Sequence, residues 1–310
     1  MKKRKVIAVL FVLVLLSLAG CQKENWTVYE IAGADEDTVC FDYSGETYEL
    51  SSIADYKREA AETSSKFVLG KQEYALRYDE TCNREFLSYH EDIYKTEDKN
   101  ATFYFREDTG DLSGVFVKGK ALTISENKPK VKEDYLQLAE SLLKNYIPVE
   151  EYEVTYETDI TIFEASGELG QRSYRTEEGF YIPENDNETA SYTITYTRYI
   201  GDYPSTDIAV VILDEEGGLK RLNIGEINAF QNKDVPTLSM EEINTLVEKK
   251  LGEVCKEEFA IQSFEQSASI CISAEGEVYF LVSASPIVIS KETKEEIQES
   301  CMFILAKKHK

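Results

Sequence analysis

Two spacings of apolar residues run along this chain. Between 132 and 146, Tyr135, Leu138, Ala139, Leu142, Leu143 and Tyr146 fall on one helical stripe, and Pro148 follows it. That spacing predicts an amphipathic helix ending before the proline. A second stripe, Ile243, Leu246, Val247 and Leu251, follows Ser239 and Glu242, which form a capping-box pattern, and Gly252 suits a C-terminal cap. A weaker stripe (Ile53, Tyr56, Ala60, Ala61) predicts a helix over 52–63, and 290–300 reads as a short polar helix.

Segments rich in β-branched and aromatic residues predict strands over 26–31, 38–43, 73–78, 102–106, 112–118, 152–163, 191–200, 207–213, 219–224, 259–273, 278–289 and 301–305. Acidic or Gly-containing turns separate them, as at Gly110, Gly217 and Gly276. Gly110 and Gly217 are 107 residues apart, and Tyr135 and Ile243 are 108 apart. The order hairpin, connection, helix, long strand thus recurs once, although helix-plus-meander is also a common local pattern. The expected fold class is α+β, with antiparallel β-meanders each packed against an amphipathic helix in two to three consecutive units. The expected division is 1–20 as signal peptide, then units at 21–125, 126–232 and 233–310.

The run from Tyr192 to Gly201 (YTITYTRYIG), followed by 207–217 (DIAVVILDEEG), resembles PepSY-type domains. The likeness covers 131–224 and, more loosely, 239–306. It implies small exported α+β units that bind or restrain partners, and it brings no catalytic residue with it.

The first residues tell a separate story. Lys2, Lys3, Arg4 and Lys5 precede an unbroken apolar run over 6–16, then Leu18, Ala19, Gly20 and Cys21. A basic start, an apolar centre and small residues before a cut are the parts of a secretory signal. The stretch 6–19 is shorter than the roughly 20 residues a spanning helix needs. Leu18 to Cys21 resembles the bacterial lipobox. That resemblance implies diacylglycerol on the Cys21 sulfur, cleavage between Gly20 and Cys21, a palmitate-type anchor and a place on the outer face of the bacterial cell membrane. Four residues, Gln22 to Asn25, then separate the anchor from Trp26, a reach of about 14 Å. Trp26 belongs either to the headgroup layer or to a core.

Composition narrows the classes. The formal charge is −24, and loss of the four leading cations takes it to −28. Such a surface repels nucleic acid and anionic headgroups, favours cationic ligands, and in its blandest role keeps a protein soluble. Cysteines stand at 21, 40, 82, 255, 271 and 301. With Cys21 lipidated, Cys40, Cys82, Cys255, Cys271 and Cys301 remain, an odd number with no CxxC, which excludes a dense disulfide scaffold and a zinc ribbon. Cys271, in the strand-like run 269–272, reads as a small buried hydrophobe.

Only His90 and His309 are available for imidazole chemistry, too few for a His-rich metal site. His90 is expected on the surface and His309 in a loose tail. No Gly-x-Ser-x-Gly, P-loop or Gly-x-Gly-x-x-Gly occurs. The acidic clusters at 35–37, 184–188 and 214–216 lack EF-hand spacing and read as solvated turns. No cofactor, metal or catalytic residue is expected. The expected function is a non-catalytic binding or regulatory role toward an envelope protein or peptide. The alternatives are a carboxylate-dependent hydrolase of wall material, for which 58 acidic residues offer too many pairs to be informative, and a solute receptor for a transporter. Cys21 makes the most exposed claim: labelled palmitate should enter the wild-type chain and not Cys21→Ala, and incorporation into the mutant would refute the anchor.

Overall fold

The structure, a computed structural model, describes residues 26–33, 39–42, 64–82, 89–162, 174–176, 188–225, 229–272, 276–299 and 302–308. Cys21, Cys301, His309, the expected 52–63 helix and the acidic cluster at 35–37 lie outside these residues, as does most of the cluster at 184–188. The chain forms two compact units, each drawn from separated stretches. The first takes 1–48, 236–268 and 279–310; the second takes 49–235 and 269–278.

In the first unit, β1 (Trp26–Gly33), β15 (Met302–Lys308), β13 (Val278–Ser290) and β12 (Phe259–Ile272) lie side by side in that order. β14 (Glu296–Gln298) pairs with β13. Trp26 is half-buried, its ring edge-on to Phe280 at 5.7 Å. Helix α2 (Met240–Val254) starts as its capping box dictates: Glu242 N donates to Ser239 Oγ at 3.3 Å, and Ser239 N donates to Glu242 Oε2 at 2.9 Å. Lys308 then ties the helix start to β15, 2.6 Å from both Glu242 Oε1 and the Thr237 carbonyl. Ile243, Leu246, Val247 and Leu251 are the buried stripe. The helix runs two residues past Gly252, which is therefore not its cap.

The second unit is a long sheet in the order β8 (Tyr174–Thr176), β7 (Glu153–Ile162), β9 (Glu188–Ile200), β10 (Tyr203–Asp214), β11 (Leu219–Ile224), β6 (Leu112–Val117), β5 (Ala101–Arg106), β4 (Glu91–Thr96), β3 (Gln72–Cys82), β2 (Ser64–Leu69). Its pairings are antiparallel except where Ser205 of β10 lies parallel to Ile270, which belongs to the 269–278 stretch of this same unit. Strand β10 alternates strictly, with Ser205, Asp207, Ala209, Val211 and Leu213 inward, as a period of two requires. Helix α1 (Lys132–Leu143) buries Tyr135, Ala139, Leu142 and Leu143. The Tyr135 ring packs 4.3 Å from Tyr192, and its hydroxyl donates to the Glu215 carbonyl at 2.7 Å. At the β10–β11 turn, Gly217 holds φ +76°, and a Cβ there would meet Pro129 at 2.7 Å. Both facts require glycine.

The expected repeat of helix-backed meanders is overturned. Sheet dominates, only 14% of the described residues are helical, and the sheet is mixed. The hairpins β5–β6 and β10–β11, expected in successive units, are neighbours in one sheet, joined where Arg221, Leu222 and Asn223 face Phe116, Val115 and Gly114. Merging them removes two exposed strand edges, which isolated meanders would have had to protect. Likewise 290–299 holds a turn and β14 rather than a helix, because too few apolar residues stand at helical spacing there.

Tyrosines fill much of this core. Burial raises the hydroxyl pKa of Tyr135, Tyr152 and Tyr192, and takes that of Tyr196 up to about 12. In the unfolded chain they ionise near 10. Their contribution to stability is therefore fully present below about pH 10 and is lost as pH rises beyond it. The urea midpoint should be steady just below pH 10 and fall above it, as tyrosinate absorbance appears with unfolding. Tyrosines that all ionised near 10 in a folded chain would contradict this packing.

Candidate functional site

Among the described residues of the second unit two carboxylates are wholly buried, and both are matched by their own neighbours. Asp207, 0% exposed, accepts the Tyr152 hydroxyl at 2.6 Å on Oδ1 and has Arg198 Nη1 3.5 Å from Oδ2. Arg198 also pairs with Glu151. Ser205 Oγ donates to the Arg198 carbonyl at 2.8 Å and accepts from Asp207 N at 3.3 Å. Burial, then the bond to Asp207, keeps the Tyr152 hydroxyl protonated well above its usual range. Glu91, also 0% exposed, accepts the hydroxyl of buried Ser113 and lies opposite Arg106 in the β4–β5 register. Arg106 covers the Tyr89 ring at 4.1 Å and forks onto Asp108 at 3.1 and 2.9 Å. Both carboxylates lie in the sheet interior, where a charge survives only when paired. His90, expected on the surface, is half-buried with Nδ1 3.5 Å from Glu107 Oε2. Among the described residues no group of three or more His, Cys, Asp or Glu is placed to hold a metal ion.

One accessible polar feature among the described residues is an open depression of about 670 Å³ at one end of the same sheet. Its walls come from the start of β3 (Gln72, Tyr74), the β4–β5 turn (Asp98, Lys99, Asn100) and the segment leaving β6 (118–123). These meet because antiparallel strands β3 and β5 begin where β4 and β6 end. Asn100 braces the site. Its carbonyl accepts from Lys118 N at 2.8 Å, its Oδ1 accepts from Gly119 N at 3.2 Å, and its Nδ2 donates to the Lys120 carbonyl at 2.7 Å. A Cβ on Gly119 would lie 2.8 Å from Asn100 Oδ1, so glycine lets the two segments close. Lys220 Nζ holds the Gly119 carbonyl at 2.7 Å, and the Tyr74 hydroxyl holds that of Thr123 at 3.2 Å. On the rim, Lys99, Lys118 and Lys120 are exposed, and among the described residues no acidic group pairs with them.

The residue chosen from sequence, Cys21, is outside the described residues. Among the thiols, Cys40 and Cys255 are free, on segments joined by the Phe41–Cys255 bridge. Cys271 is 3% exposed, and burial takes its thiol up to about 12. The depression was not anticipated, because its lysines come from separate turns. Asp207 was not singled out either, although it shares the period-two face of Ala209, Val211 and Leu213.

No family model matches this sequence, and no curated protein sequence matches it. Among solved structures, the chain is similar to the Bacillus megaterium YpeB C-terminal domain at 10% identity, over 90% of this chain and 92% of that one, with a TM-score of 0.30. A likeness of that size carries no argument here about fold or function.

Removing one hydroxyl tests the interior reading. Tyr152→Phe leaves Asp207 short of a donor and should cost about 1–3 kcal/mol in urea unfolding. A change near zero would mean that Asp207 is solvated.

Proposed function

We propose that this chain is a lipid-anchored extracytoplasmic protein that binds or regulates an envelope protein or peptide without catalysing a reaction on it. The basic, apolar and small-residue segments ending at Cys21 support the address, and two acyl chains would give stable anchoring. The PepSY-like strand pattern over 131–224 belongs to the same reading. The observation that carries the binding role is the depression itself. It is braced by Asn100, open to solvent and rimmed by three lysines that no acidic group among the described residues pairs with, on a chain of net charge −24. Its lining offers one carboxylate, Asp98, and no Ser, His or Cys, whereas carboxylate-dependent hydrolysis takes two flanking acids.

A photocrosslinking residue placed at Thr123 in living cells should capture an envelope protein or peptide. The same residue at Met240, exposed in the other unit, should not. Capture from neither position, or equally from both, would overturn the reading.

A further inference from the structure

We propose that the depression takes an acidic peptide segment, whose carboxylates are held by Lys99, Lys118 and Lys120. The proposal rests on the binding role above and names its ligand class.

Backbone conformation is the first support. Lys99 sits at φ +56°, the left-handed region that a side chain with a Cβ enters at a cost and glycine enters freely. The turn is closed without any help from the Lys99 side chain: Lys99 N donates to the Thr96 carbonyl at 2.9 Å, and Asp98 accepts from Thr96 Oγ1 at 2.6 Å and from Asn100 N at 3.0 Å. Among the described residues none pairs with the Lys99 ammonium, which stands at the rim with Lys118 and Lys120. Strain kept at a solvent-facing charge points to recognition.

Charge selects the ligand. The Asp98 carboxylate is engaged inside its own turn, and those bonds, the Thr96 hydroxyl first, hold its pKa below the ordinary value. The three lysines attract anions over about a Debye length, roughly 8 Å at physiological salt. Beyond that distance the net −24 of the chain dominates, so an extended polyanion or an anionic bilayer is repelled. A short segment with a few neighbouring carboxylates fits both limits. The Gln72 side chain, also on the wall, offers an amide donor and acceptor to a peptide backbone. Tyr74, Ala121 and Leu122 supply the apolar part of the lining.

The test uses the lipidated chain in neutral detergent micelles and a fluorescein-labelled oligoglutamate peptide, read by anisotropy. Oligoglutamate should bind, oligoglutamine should not, and added salt should weaken binding. Lys99→Gly, Lys118→Gln and Lys120→Gln should each weaken it about two- to fivefold at low salt, the range for exposed ion pairs. The triple variant should fall to the oligoglutamine baseline. Lys99→Gly relaxes the turn, so its urea midpoint should hold or rise while binding falls, which separates recognition from folding. Oligoglutamate binding that survives the triple substitution would overturn the proposal. So would lysine-dependent binding of inorganic phosphate or of phosphatidylglycerol vesicles in place of the peptide. Crosslinking at Thr123 without oligoglutamate binding would sink the ligand class alone, and the converse would sink the envelope partner alone.

Discussion

The reciprocal hydrogen bonds between Leu122 and Leu219 hold the second unit's sheet and its surface depression together. Leu122 N donates to the Leu219 carbonyl at 2.9 Å, and Leu219 N donates to that of Leu122 at 2.8 Å. Both side chains are buried in the core that includes Leu213, Tyr192 and Tyr135. The bridge extends the β6–β11 seam past the end of β6, so 118–123 is held like sheet rather than left as a loose exit from a strand. The depression depends on that constraint: lysines on an unpinned loop would be three independent side chains in water.

Pinning matters because exposed ion pairs are weak individually. A site built from them gains affinity when the protein side is ordered before the ligand arrives, since ordering on binding subtracts from it. Here Asn100 substitutes for strand pairing on one side of the segment, and Leu219 supplies it on the other. The buried ionic groups contribute differently. Asp207 with Arg198 and Tyr152, and Glu91 with Ser113, satisfy charges inside strands whose faces are otherwise Tyr, Thr and Ile, and a one-residue slip would leave those charges unpaired.

Local patterns in the sequence were readable and their assembly was not. The stripes of α1 and α2, the Ser239–Glu242 box and the strand over 219–224 follow from spacing and capping chemistry, and the structure has them. Strands β2 (Ser64–Leu69) and β4 (Glu91–Thr96) escaped, the latter because Glu91, Asp92 and Lys95 look like solvent-facing residues until Glu91 is seen to face inward. The joining of β6 to β11 escaped for a deeper reason: partners more than a hundred residues apart leave no periodic trace, so two hairpins read as two units. The depression inherits that blindness. Lys99 and Lys118 come together only once Ala101 is known to lie opposite Val117.

Amide hydrogen exchange, resolved by residue, addresses the central claim most directly, namely that the depression is part of the sheet. The account predicts that the Leu122 and Gly119 amides are protected and that Leu122 exchanges together with Leu219, through opening of the sheet. Leu122 and Gly119 exchanging as fast as an exposed turn, while Leu219 and Val211 stay protected, would contradict it.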